Sequence, residues 1–202
     1  YPTGSRLGIM YGLPKVHKVT GTAQHPPMRP ILSAIGTPSY NLCKFLTPYF
    51  DSITKHEYTV RDSFTFANDI TNFHGTYHMS SLDVDALFTN IQLNETIDIC
   101  VNNIFCNTNI VNGLNKESFK QLLTLAVTES YFMFNGEIYQ QIDGVAMGSP
   151  LGPILANAFL CHYESTWLRD CPPEFKPVLY KRYVDDIFIL SKSAEDHQKF
   201  LD

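Results

Sequence analysis

The chain has 202 residues, 44% hydrophobic and 17% charged, with a net charge of −5, which allows one substantial core with two lobes. Eleven Gly and twelve Pro exclude a disordered or fibrous chain. The negative balance excludes a protein that simply coats nucleic acid, and the longest apolar stretch, 154–161, is too short to cross a bilayer. Charge is unevenly spread. Residues 1–50 hold Arg6, Lys15, Lys18, Arg29 and Lys44 and no acid, while all twenty acidic residues lie beyond them. A basic lobe suits phosphate, and an acidic body suits metal ions. Five cysteines form no CxxC pair and are odd in number, so reduced thiols in an intracellular protein, nuclear or cytoplasmic and not secreted, are expected. The opening Tyr1-Pro2-Thr3 carries no secretory signal and reads as the interior of a longer protein, with no membrane partner implied.

Along the chain, 7–11 and 28–33 read as short strands and 39–50 as a helix disturbed by Pro48. Asp62 is placed to cap a helix running to about 73, and 77–84 reads as a strand ending at Asp83. Asn94 and Asn115 are expected to start two further helices, the second with Phe119, Leu122, Leu123 and Ala126 on one face. Asn135-Gly136 between β-formers predicts a two-residue hairpin. Ser149-Pro150 predicts a helix start, Ser as cap and Pro in the first turn, running to about Trp167. Segments 178–184 and 187–190 flank Tyr183-Val184-Asp185-Asp186 as a second hairpin with carboxylates at its tip, and a last helix starts near Ala194. Hairpins mixed with helices, without regular βαβ alternation, indicate an α+β fold with an antiparallel sheet and helices packed on one face.

Asp185 and Asp186 sit in a largely apolar stretch, 178–190. Adjacent like charges in a half-buried strand cost several kcal/mol, on the order of the penalty for taking an ion out of water, unless a divalent cation offsets them. Asp83, about a hundred residues earlier in Leu82-Asp83-Val84, sits at a strand end that can face the same cleft. Convergence of Asp83, Asp185 and Asp186 would hold two Mg²⁺ ions roughly 4 Å apart, which suits nucleotidyl transfer. Gly144 and Gly148, ahead of Ser149, would let backbone approach a flat ligand closely, and a helix cap alone would also account for that segment. Lys15 and Arg29 could bind a triphosphate, Arg through a bidentate fork.

As a set, these motifs resemble a reverse transcriptase, and within that family they look most like the Penelope-like retroelements. The resemblance covers nearly the whole chain: Tyr11-Gly12-Leu13-Pro14-Lys15-Val16-His17-Lys18, Met28-Arg29-Pro30-Ile31-Leu32-Ser33, Leu82-Asp83-Val84 with Leu87-Phe88-Thr89-Asn90, Ala146-Met147-Gly148-Ser149-Pro150-Leu151 with Ala156-Asn157, and Tyr183-Val184-Asp185-Asp186. It implies the fingers and palm of a right-hand polymerase with the thumb missing. Residues 1–75 would be mainly fingers. Residues 76–202 would be mainly palm, with part of the fingers between the first Asp motif and the Ser-Pro motif. It implies Asp83 and Asp185 as catalytic metal ligands with Asp186 in a weaker role, Mg²⁺ as cofactor with Mn²⁺ as substitute, and Phe88 as the aromatic that crowds the sugar 2′ position. Arg29 with Lys15 would meet the incoming triphosphate, and Gly148, Ser149 and Pro150 would support the template and the new base pair. Tyr183 would lie near the primer end. The implied partners are an RNA template, a DNA primer and deoxynucleoside triphosphates. Many family members begin the Ser-Pro motif with Gln-Gly; here Asp143-Gly144 stands nearby, with Gln140 and Gln141 upstream, and Asp85 is an extra acid without a family role. Two other readings stay open on sequence: a catalytically silent nucleic-acid-binding module, and an RNA-dependent RNA polymerase, which Phe88 disfavours.

Overall fold

The structure is a computed structural model that describes residues 4–16 and 25–202; His17 and Lys18 of the first motif lie outside the described residues. β1 (Gly8–Pro14) and β2 (Met28–Ser33) pair antiparallel from Ile9↔Ser33 to Pro14↔Met28. α1 (Tyr40–Leu46) passes into a 3₁₀ turn at Thr47–Phe50 and the one-turn α2 (Asp51–Thr54). Pro48 thus tightens the helix rather than ending it, because its missing N–H falls at the start of a new turn. Asp62 caps α3 (Ser63–Thr71), its carboxylate accepting from the Thr65 backbone N–H at 2.8 Å, a bond that also holds its pKa below the ordinary value. β3 (His78–Asp83) follows, then the single turn α4 (Leu87–Asn90).

α5 (Leu93–Ile104) begins one residue ahead of the expected Asn94 cap. Asn94 lies inside the helix, and the carboxylate of Asp143 accepts from Leu93 N–H at 3.5 Å instead. A tiny hairpin, β4 (Ile110–Val111) and β5 (Leu114–Asn115), turns at Asn112-Gly113, both at positive φ; the sequence reading passed over this Asn-Gly signal. α6 (Lys116–Thr128) carries its cap on Asn115, as expected, with Oδ1 accepting from Ser118 N–H at 2.8 Å. β6 (Tyr131–Phe134) and β7 (Glu137–Gln140) form the expected hairpin, Asn135 and Gly136 both left-handed. α7 (Gly152–Asp170), β8 (Leu179–Tyr183), β9 (Asp186–Ser191) and α8 (Ala194–Leu201) complete the chain.

The sheets fall into two groups that matter for function. A four-stranded sheet runs β2-β1-β6-β7, and its middle junction is parallel, Gly8↔Phe132 and Ile9↔Met133. A three-stranded antiparallel sheet runs β3-β9-β8. α7 is the central helix. Leu155, Ala156 and Ala158 belong to a core shared with α1, α5 and α6 through Leu46, Ile97, Phe119 and Leu123. Lower down, Leu168 packs with Tyr180 and Ile189 of the three-stranded sheet. α3 touches the other face of that sheet, where Phe66 meets Phe188 edge-on at 5.2 Å and Lys181 pairs with Asp69 at 2.8 Å. Among the described residues no helix is long and apolar enough to cross a membrane.

α8 docks on β3 through His197, which is buried, lies 5.0 Å from the His78 ring and has Nδ1 3.4 Å from Ser80 Oγ. Burial, and then the neighbouring His78, hold its pKa below the ordinary imidazole value. The folded chain therefore binds fewer protons here than the unfolded chain, and the stability His197 contributes is present above about pH 6.5 and lost as pH falls below it. His197→Gln should reduce the drop in Tm between about pH 7.5 and about pH 5.5, measured by calorimetry.

Candidate active-site cleft

A cleft of about 650 Å³ separates the four-stranded sheet from the tip of the three-stranded one. Its roof follows from the period of two along a strand: Tyr11 and Leu13 of β1 stand opposite Ile31 and Arg29 of β2, so all four share a face, and Lys15 continues the alternation. Its floor holds Asp83, Asp85, Phe88, Gly148 and Asp185. Lys15, Arg29, Asp83, Phe88, Gly148 and Asp185 thus meet around one space, with two cations above and carboxylates below.

The carboxylates arrive by register. Asp83 ends β3 directly opposite Asp186, which also pairs with Tyr183 across the β8–β9 hairpin. Val84 N–H donates to the Asp185 carbonyl at 3.0 Å and locks strand end to hairpin tip. Asp83 and Asp186 are exposed and Asp185 half-exposed, which corrects the expectation that they sit within a half-buried strand. Their cost arises instead from like charges placed directly across a ladder. The three do not form one cluster. Asp186 and Tyr183 line a neighbouring groove of about 520 Å³ with Arg61, Phe66 and Lys181, and among the described residues no three His, Cys, Asp or Glu side chains are placed to hold one ion. Asp185 occupies the hairpin turn and Asp186 opens β9, and the two line different spaces.

The glycines of the 144–152 segment make close contacts with protein backbone. A Cβ on Gly148 would lie 2.2 Å from the Leu32 carbonyl oxygen, and one on Gly144 would lie 2.6 Å from that of Phe88. Leu32 N–H donates to the Met147 carbonyl at 3.0 Å and Val145 N–H to the Phe88 carbonyl at 2.7 Å. Both positions have positive φ, 133° and 71°. The close backbone approach is therefore protein on protein: the segment is stitched to β2 on one side and to the Phe88 turn on the other. Ser149 and Pro150 precede α7 rather than open it. Leu151 occupies the cap position and Pro153 the first turn, because Ser149 N–H and Gly152 N–H are used in turns on the Ala146 and Ser149 carbonyls. Ser149 faces a small space beside β2, its hydroxyl 3.6 Å from Cys43 Sγ, and neither it nor Pro150 lines the main cleft. Gln140 and Gln141 donate to the backbone carbonyls of Thr128 and Asp143 and also lie off the cleft. Asp85, the extra acid without a family role, lines it as well.

Several proteins resemble this chain. The telomerase reverse transcriptase of Oryza sativa subsp. japonica is 31% identical over 111 residues, covering 48% of this chain and 9% of that protein. Apo telomerase from Candida tropicalis superposes with a TM-score of 0.73 at 12% identity, covering all of this chain and 42% of that one. Candida albicans telomerase, in complex with a TWJ fragment of telomeric RNA, gives 0.67 at 11% identity over 96% of this chain and 39% of its own. These structural likenesses establish a shared fold, and the chain spans well under half the length of each of these three relatives. The sequence model of the family described as reverse transcriptase (RNA-dependent DNA polymerase) matches residues 27–202, and the chain belongs to that family.

Proposed function

We propose that this chain is the fingers-and-palm core of an RNA-directed DNA polymerase, which adds deoxynucleotides to a DNA primer on an RNA template and releases pyrophosphate. The observation that supports it most is that Asp83 and Asp185, distant in sequence, line one cleft whose opposite wall presents Lys15 and Arg29. Of the three cleft carboxylates, Asp83 and Asp185 fit Mg²⁺, which binds through one or two carboxylates and takes its remaining oxygens from phosphate and water. When bound, such ions lower the pKa of the attacking primer hydroxyl and offset charge on the leaving pyrophosphate. Asp83 and Asp185 would hold them, and Mn²⁺ is a plausible substitute. Arg29 offers a planar fork for a phosphate, Lys15 a point charge beside it. The register Leu13↔Arg29 keeps that guanidinium aimed into the cleft. Phe88 stands on the floor and restricts room at the sugar. Arg61, Phe66, Lys181 and Tyr183 in the neighbouring groove combine charge with aromatic rings in the manner of a nucleic-acid track. The return of β6–β7 to the sheet of β1 and β2 supports the division into fingers (1–75), palm (76–202) and a fingers excursion between Asp83 and Ser149.

The test is primer extension by the full-length parent protein on an RNA template with dNTPs, with and without Mg²⁺ or Mn²⁺. Absence of divalent-dependent extension refutes the reading, and tight primer-template binding without incorporation supports a silent binding module instead. Phe88→Ala is expected to lower the preference for dNTP over rNTP by at least about tenfold, equivalent to about 1.4 kcal/mol. Single-nucleotide kcat/KM ratios measure it, and an unchanged ratio removes that role from Phe88. Within the family we assign the chain to a retroelement of the Penelope-like kind, on the motif that begins Tyr11-Gly12-Leu13-Pro14-Lys15-Val16. Dispersed near-identical copies in the source genome support that assignment, and a single-copy locus overturns it.

A further inference from the structure

Beneath the Asp185 hairpin lies a buried ionic network. Arg182 and Glu164 are each 1% exposed. The guanidinium donates through Nε to Glu164 Oε1 at 2.5 Å and through Nη2 to Glu164 Oε2 at 2.9 Å, a bidentate pair. Tyr180 Oη donates to Glu164 Oε1 at 2.9 Å, and Arg182 Nη2 also reaches Asn157 Oδ1 at 3.0 Å. The Arg182 backbone is held on both sides, its N–H donating to the Tyr58 carbonyl and its carbonyl accepting from Val60 N–H, each at 2.8 Å. Nη1 remains, and it donates to the Val184 carbonyl at 3.0 Å.

Val184 is the residue that needs holding. Its φ is +58°, a conformation β-branched residues rarely adopt. Its side chain is 43% exposed, and a cavity of about 290 Å³, lined by Thr59, Ile154, Asn157 and Arg182, lies under the tip. Packing therefore does little to fix the tip; Val84 N–H holds the Asp185 carbonyl on one side, and the Arg182 hydrogen bond holds the peptide group that leads into Asp185 on the other. A buried ion pair is poor evidence of a device for stability, since apolar side chains of similar volume do as well. An apolar pair, however, cannot donate to the Val184 carbonyl.

We propose that Arg182, clamped by Glu164, is a positioning residue that holds Val184 in its left-handed conformation and so keeps Asp185 in the cleft with Asp83. This rests on the polymerase reading, in which Asp185 is catalytic. Loss of the clamp lets Val184 relax to negative φ and turns the Val184–Asp185 peptide, carrying the carboxylate away.

The experiment replaces the pair with apolar residues, Arg182→Met with Glu164→Leu, in the full-length protein, leaving no unpaired buried charge. The expected result is a folded protein with unchanged primer-template affinity and a dNTP KM within about twofold of the parent, but a kcat at least about thirtyfold lower, about 2 kcal/mol in the barrier. Adding Val184→Gly, which makes the left-handed conformation freely accessible, should restore at least about fivefold of that loss, a rescue that general damage to the fold would not show. A crystal structure of the doubly substituted protein should show Val184 at negative φ whether or not the protein extends primers. Parental extension activity tests the polymerase reading, and the variant's hairpin geometry tests the clamp. An unchanged hairpin, or an unchanged kcat in an active parent, overturns the proposal. If the apolar pair does not fold, Arg182→Lys serves: lysine keeps a charge for Glu164 but has no fork to reach Val184 at the same time, so the same fall in kcat is expected, and full activity overturns the proposal.

Discussion

Asp185→Asn is expected to lower the rate of nucleotide addition by about a thousandfold or more, several kcal/mol of transition-state stabilisation, with little change in primer-template binding. The amide keeps the size and the position at the hairpin tip but removes the charge that the proposed divalent ions require. Asp83→Asn should do the same, because both residues line the cleft beneath Lys15 and Arg29. Asp186→Asn should cost far less, about tenfold or below, since Asp186 lines the neighbouring groove. The three variants therefore separate Asp83 and Asp185 from Asp186. Stability should move the other way. Asp83 and Asp186 stand directly opposite each other on β3 and β9, so neutralising either removes a like-charge cross-strand repulsion worth up to about 1 kcal/mol. For Asp83→Asn an inactive protein with a slightly raised Tm is the expected signature, activity having been kept at the expense of stability. Single-turnover extension and calorimetry on the same preparations measure it. Full activity of Asp185→Asn would remove the polymerase reading.

Gly148→Ala is expected to destabilise the fold by about 3–5 kcal/mol, through a strained backbone and a forced opening of the junction. The new Cβ would be placed 2.2 Å from the Leu32 oxygen, a backbone atom of β2 that cannot swing aside. Relief would require breaking the Leu32-to-Met147 hydrogen bond, which attaches the roof of the cleft to its floor. Gly136→Ala provides the comparison. Gly136 also has positive φ, 82°, but nothing lies within 4 Å of the position its Cβ would take, so only the conformational cost remains, about 1–2 kcal/mol. Urea midpoints of the two variants should differ accordingly. Equal midpoints would show that the junction is not under this constraint.

Local chemistry was legible in the sequence wherever the partner lies close along the chain. Asp62 and Asn115 cap the helices they precede, Asn135-Gly136 turns as its φ values require, and the Asp pair sits at a hairpin. What could not be read depends on distant partners. Asp143 supports the start of α5 from fifty positions away, which no capping pattern at Asn94 could reveal. Glu164 reads as one more charge on an amphipathic helix until β8 brings Arg182 against it. Gly144 and Gly148 read in sequence as places where backbone could approach a flat ligand; the protein groups packed against them, β2 and the Phe88 turn, come from distant segments. The start of α7 shifted to Leu151 because Ser149 is used in the preceding turn. Ranges of exposure were also hidden: an apolar neighbourhood in sequence suggested burial at Asp185 and Asp186, whereas a hairpin tip lifts them toward solvent.

The parallel junction between β1 and β6 has a practical consequence for where this polypeptide can be cut. β6–β7 is a lone hairpin on its own, and its Tyr131, Met133, Phe134, Ile138 and Tyr139 are already open to water. Among the described residues only β1 covers its inner edge, by pairing through Gly8 and Ile9. A two-stranded unit of this kind is marginal in isolation and offers a free apolar border for self-association. Trimming the amino terminus past Gly8 would therefore release a sticky edge more than a hundred residues downstream, and precipitation would follow from a deletion that leaves every carboxylate in place.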